Sequence, residues 1–213
     1  MRTAHIVVVT AGLSEPSTTA LLGEQLRQAT VGALDRAGID ARFTVISLRS
    51  LAKDITHHYL TGFPAEPLDA ALKAVNEADA IIAVTPVFKA SYSGLFKSFW
   101  DLVEDGSLAG KPVLLAATGG TARHSLVIDS AMRPLFSYLK ALVSPSGVFV
   151  STDDFGADTA LTSRIQDAAA EFSQLLAWTL GGAKPSQQNQ AQTHPGALEV
   201  TPFEELLRLN TAR

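Results

Sequence analysis

The stretch that decides the fold is residues 85–101, Thr-Pro-Val-Phe-Lys-Ala-Ser-Tyr-Ser-Gly-Leu-Phe-Lys-Ser-Phe-Trp-Asp. An apolar run ends at Thr85, small and polar residues follow Pro86, and apolar positions at helical spacing begin at Leu95. This order predicts a buried strand, a loop and a helix, with the loop at the carboxyl edge of a sheet. Open α/β folds bind ligands at that edge, and the free backbone groups of such a loop can hydrogen-bond the rim of a flat heteroaromatic ring.

The same alternation extends in both directions from this stretch. The apolar pattern predicts strands at 4–10, 41–47, 79–85, 111–118 and 142–150, and helices at about 17–37, 68–77, 93–104, 127–141 and 157–180. Residues 51–67 are expected to be irregular, and Pro134 should kink the fourth of these helices or mark its true start. Five strands alternating with helices predict an α/β fold, a flavodoxin-like doubly wound parallel sheet of order 2-1-3-4-5.

The length, composition and net charge of the chain limit its domain organisation and the classes of function open to it. The chain has 213 residues, 46% apolar and 18% charged, with a net charge of −4 and no cysteine. We expect one domain at 1–180 and, at 181–213, a linker and a short helix that packs on a neighbouring subunit. The charge gives no footprint for nucleic acid, and the histidines show no metal spacing. The first apolar run is too short for a signal peptide or membrane span, so we expect a cytoplasmic protein.

The loop after the first strand, residues 10–19, opens a helix and is rich in hydroxyl groups. Its hydroxyl side chains are Ser14, Ser17, Thr18 and Thr19, besides Thr10 at the strand end. Free backbone N–H groups and the positive end of the helix dipole would face the crevice, a combination that suits a phosphate monoester. The alternative is ordinary helix capping by Ser17 or Thr18.

Two more loops follow the third and fourth strands. The first of these loops is residues 85–93, and the second is residues 118–124, Thr-Gly-Gly-Thr-Ala-Arg-His. Glycines let backbone approach a ring closely, while Arg123 and His124 could face a phosphate or a nicotinamide; His124 could equally be a structural hydrogen-bonding residue. The loops bear no acid–base or nucleophilic constellation, so no catalytic residue is predicted and a cofactor is expected to carry the chemistry.

Together, Pro-Val-Phe-Lys-Ala-Ser-Tyr-Ser-Gly and Ala-Thr-Gly-Gly resemble the NAD(P)H-dependent FMN reductases, flavodoxin-like enzymes. The similarity is greatest to the branch that supplies reduced flavin to luciferase-like and alkanesulfonate two-component monooxygenases. The resemblance implies hydride transfer from NADPH or NADH to FMN, a homodimer or homotetramer, and a transient monooxygenase partner.

The resemblance also implies roles for individual residues. The FMN phosphate would be held by Ser14, Ser17, Thr18 and Thr19. The isoalloxazine edge would be lined by Pro86, Val87, Phe88, Lys89, Ala90 and Ser91, and the next loop would contact the ring through Thr118, Gly119 and Gly120. The nicotinamide side would be near Arg123 and His124.

The chain departs from the family pattern in two places. Many relatives carry an arginine in the phosphate loop, but none lies between Thr10 and Thr19 here, which predicts weaker FMN binding and a flavin that leaves as a substrate. Ser130 stands where relatives of the alkanesulfonate branch often have an aromatic residue. Three alternatives stay open: a quinone or azo reductase with tightly bound FMN, a flavodoxin-type electron carrier, and a non-catalytic flavin-binding protein. Electron carriers tend to be strongly acidic for docking, so the mild net charge of −4 favours the reductases over the carrier.

Overall fold

The computed structural model describes residues 3–151, 154 and 158–181. Its centre is a parallel sheet, whose strands are β1 (Ala4–Thr10), β2 (Ala41–Ser47), β3 (Ala80–Phe88), β5 (Pro112–Gly119), β6 (Leu142–Val143) and β7 (Val148–Ser151), with a short antiparallel strand β4 (Ser91–Tyr92). The order is β2-β1-β3-β5, followed by β6 beside the start of β5 and β7 beside its end. The predicted flavodoxin-like order is therefore confirmed, with the fifth strand broken in two.

Helices cover both faces of the sheet. They are α1 (Thr18–Arg36), α2 (Leu48–Thr61), α3 (Glu66–Glu77), α4 (Gly94–Trp100), α5 (Arg133–Tyr138) and α6 (Asp158–Gly181). Alternate residues of β1 belong to different cores: Ile6 and Val8 pack with residues of α1 and α6, whereas Val7 and Val9 pack with residues of α2 to α5. The central strands β1, β3 and β5 are buried on both faces over most of their length and are apolar runs, whereas the edge strand β2 is partly exposed and contains Arg42 and Thr44.

The prediction of an irregular segment at 51–67 is wrong. Helix α2 occupies most of it and buries Leu48, Leu51 and Ile55, which have helical spacing. Gly62, with φ 77°, ends the helix in the left-handed conformation that glycine adopts freely. The run Thr-His-His-Tyr after Ile55 hides this periodicity, because those residues are weak helix formers.

The third strand continues past its predicted end. β3 extends through Pro86 to Phe88 and turns back into β4, so that Val87 pairs with Tyr92 and Phe88 with Ser91. Lys89 and Ala90 form the turn, with φ of 50° and 67°. The helix predicted at 93–104 is correspondingly shorter, and α4 ends at Trp100.

The region predicted as one helix at 127–141 is segmented. A 3₁₀ turn (Ala122–His124) is followed by a π-helical turn (Ile128–Met132), which leads directly into α5. Pro134 lies in the first turn of α5, directly after the π-helical turn, so it marks the start of that helix. The predicted linker and helix beyond Gly181 lie outside the described residues. None of the helices within the described ranges has the length and hydropathy needed to cross a membrane.

Candidate functional site

A cleft of about 310 Å³ opens at the carboxyl edge of the sheet. It is lined by Leu13, Ser14, Thr18, Thr19, Pro86, Val87, Phe88, Thr118, Gly119 and Gly120. These residues come from the three loops that follow β1, β3 and β5. The cleft therefore lies at the point where the chain order of the sheet reverses, the usual ligand site of this architecture.

The β1 loop supplies the polar end of the cleft. Ser17 is the N-cap of α1, and its Oγ accepts a hydrogen bond of 3.1 Å from the backbone N–H of Ala20. A Cβ at Gly12 would collide with Ser17 Oγ, so glycine is what lets the loop fold against the cap. The capping interpretation is thus correct for Ser17, while Ser14, Thr18 and Thr19 line the cleft with the helix N-terminus, where free N–H groups attract anions.

A buried hydrogen bond joins this end of the cleft to the opposite wall. The hydroxyls of Thr19, in α1, and Thr118, in β5, lie 2.8 Å apart. Both residues are almost completely buried, at 2% and 6% exposure. The start of α1 and the end of β5 are therefore held at a fixed separation, which sets the width of the cleft between them.

The β3–β4 hairpin forms the second wall and is anchored by Thr85. This fully buried hydroxyl donates to the carbonyl of Pro86 and accepts from the N–H of Ser93, both at 3.0 Å, so it joins the two ends of the hairpin. Behind the hairpin, Tyr92 contacts Phe96 with ring centroids 5.8 Å apart, and Phe96 contacts Trp100 at 5.7 Å. The wall is therefore preformed by buried groups and does not depend on a ligand for its shape.

The glycines of the third wall bring backbone to the surface of the cleft. A Cβ on Gly119 would lie 2.8 Å from the ring of Phe149, so a side chain there would require that ring to move. A Cβ on Gly120 would meet nothing within 4 Å, which leaves the mouth of the cleft open. Arg123 and His124 follow in the 3₁₀ turn and are not among the lining residues.

The structure brings together nine of the thirteen residues predicted to contact flavin. The other four lie close by in sequence: Ser17 caps α1, Lys89 and Ala90 form the exposed turn, and Ser91 pairs with Phe88. Leu13 also lines the cleft and was not predicted from the sequence. Its one signal is that it is the single large apolar side chain among the small and polar residues of the β1 loop.

The chemistry of the lining suits FMN. One end offers hydroxyls and a helix N-terminus for a phosphate, while Val87, Phe88 and the two glycines offer apolar and backbone surface for a flat ring. None of the ten described lining residues has a titratable side chain. The ten residues can therefore bind and orient a ring, and they include no carboxylate, imidazole or amine to act as an acid or a base.

Comparisons with known proteins agree with this geometry. The family model for NADPH-dependent FMN reductase matches residues 4–156. An FMN reductase (NADPH) of Pseudomonas aeruginosa is 39% identical over 151 residues, 70% of this chain and 78% of that protein. The NADH-dependent FMN reductase SfnE of Pseudomonas putida is 36% identical over 169 residues, 78% of this chain and 88% of that protein.

A solved structure has the same fold. An oxidoreductase from Corynebacterium diphtheriae superposes with a TM-score of 0.80 at 38% identity, covering 84% of this chain and 99% of that one. The family match spans the strands and loops that build the cleft, from β1 to β7. The chain belongs to the NADPH-dependent FMN reductase family.

Proposed function

We propose that this chain transfers a hydride from NADPH or NADH to FMN and releases the reduced FMN as a product. The observation that carries the proposal is the cleft itself, in which hydroxyls and a helix N-terminus meet a preformed, uncharged wall for a flat ring. FMN, when bound, supplies the ring that accepts the hydride. The chain contributes positioning, because holding two rings at reacting distance removes much of the entropic cost of their encounter.

The residues divide the work of binding. Ser14, Thr18 and Thr19 would hold the phosphate with the N–H groups of α1, and Ser17 would keep those groups oriented by capping the helix. Pro86, Val87 and Phe88 would lie along one edge of the ring. The opposite side of the ring would be contacted by Thr118, Gly119 and Gly120. The hairpin residues Lys89, Ala90 and Ser91 would support the wall formed by Pro86, Val87 and Phe88.

The nicotinamide would stack on the open face of the ring. Arg123 and His124 lie in the turn that continues from Gly120, and we assign them to the nucleotide side of the site. The two relatives differ in nucleotide, one named for NADPH and one for NADH. The assay must therefore compare both nucleotides.

The test is steady-state oxidation of NADPH and of NADH as the FMN concentration is raised. We expect a rate that saturates with FMN at catalytic amounts of protein. Gly120→Leu should raise the KM for FMN about tenfold or more, because a side chain there fills the open mouth without disturbing the fold. Gly32→Leu, in α1, is the matched control and should leave the KM unchanged. Absence of nucleotide oxidation with any flavin would contradict the proposal.

The assembly and location of the chain belong to the same proposal. Large exposed apolar side chains, Leu60, Phe63, Leu126 and Tyr138, support a homodimer or homotetramer, which light scattering on the full chain would measure. We place the chain in the cytoplasm, where it would draw on reduced nicotinamide nucleotides. A flavin-dependent monooxygenase is the proposed consumer of reduced FMN, tested by whether added monooxygenase turns over only when this chain and FMN are present.

A further inference from the structure

The polar end of the cleft, formed by the β1 loop and proposed above to hold the phosphate, carries a negative charge. We call it the phosphate end. Glu15 is the single charged residue between Thr10 and Thr19, and it directly follows Ser14. Its side chain is 78% exposed, so it is not buried by the fold. A carboxylate beside a phosphate repels it, which makes this loop an unfavourable phosphate site unless the charge is offset.

A cation from another part of the chain contacts that carboxylate. Arg49, at the second position of α2, forms an ion pair between its Nη1 and Glu15 Oε1. Sheet register explains why it reaches the loop: Thr10, the last residue of β1, pairs with Ser47, the last residue of β2. The β1 loop and the start of α2 therefore leave the sheet side by side.

We infer that Arg49 is the cation of the phosphate end, and that the Arg49–Glu15 pair determines how strongly the site prefers FMN over riboflavin. The inference rests on the proposed function, in that it assigns a role in the same flavin site. In this role Arg49 offsets the charge of Glu15, and its guanidinium, a group that pairs well with phosphate oxygens, would attract the phosphate of FMN. Riboflavin has the same ring but no phosphate, so the charges of Arg49 and Glu15 should have little effect on its dissociation constant.

The experiment measures the dissociation constants of FMN and riboflavin by quenching of flavin fluorescence, without nucleotide. Arg49→Gln should weaken FMN binding about three- to tenfold, the size expected of a partly exposed charge, and should change riboflavin binding less than about twofold. Glu15→Gln should strengthen FMN binding, and the double variant should bind FMN more tightly than Arg49→Gln but more weakly than wild type. The Arg49→Gln effect should shrink at high salt, because exposed charges are screened.

Arg36→Gln is the matched control, since it removes the same charge at the far end of α1, and it should leave the FMN preference unchanged. Parallel losses of FMN and riboflavin binding in Arg49→Gln would overturn the inference, because they would mean a structural role for the pair. Unchanged FMN binding in that variant would also overturn it. Because binding is read without turnover, a chain that binds FMN but does not reduce it would contradict the proposed function alone.

Discussion

The two edges of the central sheet carry opposite kinds of polar chemistry. At the carboxyl edge, the cleft offers hydroxyls and backbone groups, and its ten described lining residues include no titratable side chain. At the amino edge, ionisable groups are packed into the fold: the backbone N–H of buried His5 donates to Asp79 Oδ2 at 2.9 Å, and Lys111 Nζ donates to the carbonyl of Asn76 at 2.5 Å.

The difference separates groups of fixed charge from groups whose charge depends on pH. The backbone dipoles and hydroxyls of the cleft do not change their charge with pH. At the amino edge, charged groups hold a strand to the end of α3. We therefore expect substitutions at the carboxyl edge to affect flavin binding and stability together, and pH to act on the fold through the amino edge.

The largest effect is expected from Thr85→Val, which removes the hydroxyl that joins the ends of the β3–β4 hairpin. The Ser93 N–H and the Pro86 carbonyl would each lose this buried partner, which should lower the free energy of unfolding by about 2–4 kcal/mol. The KM for FMN should also rise about tenfold, because the β3–β4 hairpin, which forms one wall of the cleft, loses the hydroxyl that anchors it. Urea denaturation and steady-state kinetics measure the two effects. Thr85→Ser keeps the hydroxyl and should restore the KM; a high KM in that variant would rule out the anchoring role.

The next effect concerns the hydrogen bond between Thr19 and Thr118 across the cleft. Thr118→Val should cost about 1–2 kcal/mol, because the buried Thr19 hydroxyl is left without its partner. The double variant Thr19→Val with Thr118→Val should cost clearly less than the sum of the two single changes. Urea denaturation of the four proteins completes the cycle, and strictly additive losses would show that the two hydroxyls do not stabilise each other.

The amino edge is tested through pH. Burial, followed by the positive charge of Arg42, lowers the pKa of His5 below its usual 6.5. Protonation therefore favours the unfolded chain, so stability is full above pH 6.5 and falls as pH drops below it, by at most about 1.4 kcal/mol per pH unit. Denaturation of wild type and His5→Gln at pH 7.5 and 5.5 measures this. The variant should lose less stability on acidification. An equal loss in both proteins would show that His5 does not contribute to the pH dependence of stability.

The smallest effect lies at the turn of the hairpin. Ala90 has φ 67°, which costs a residue with a Cβ more than it costs glycine. Ala90→Gly should raise the free energy of unfolding by about 0.5–1 kcal/mol, while the control Ala70→Gly, in the exposed face of α3, should lower it by a similar amount. Two changes of the same sign would show that the turn stores no strain.

The sequence allowed the sheet order and most of the cleft to be predicted, because both follow from local patterns. Buried strands are continuous apolar runs, and the loops after them are marked by Pro86 and by the pair Gly119-Gly120. Parallel strands place such loops at one edge, so their meeting required no knowledge of side-chain contacts.

The remaining features depend on contacts between distant residues. The Thr19–Thr118 hydrogen bond spans 99 positions in the chain, and no local pattern indicates it. Arg49 pairs with Glu15 of the β1 loop from a helix that was not predicted from the sequence, so the contact between this arginine and the loop is visible only in the structure. The β3–β4 hairpin was hidden because Lys89-Ala90 is an unusual sequence for two residues with positive φ.

The most direct test of the central claim is an anaerobic titration in which catalytic amounts of the chain are mixed with excess FMN and either NADPH or NADH. The flavin's visible absorbance is followed against the amount of protein present. We predict that each chain reduces many equivalents of FMN, with one nucleotide oxidised per flavin reduced. Reduction that stops at one flavin per chain would contradict release of FMN as a product, and no reduction with either nucleotide would contradict the account as a whole.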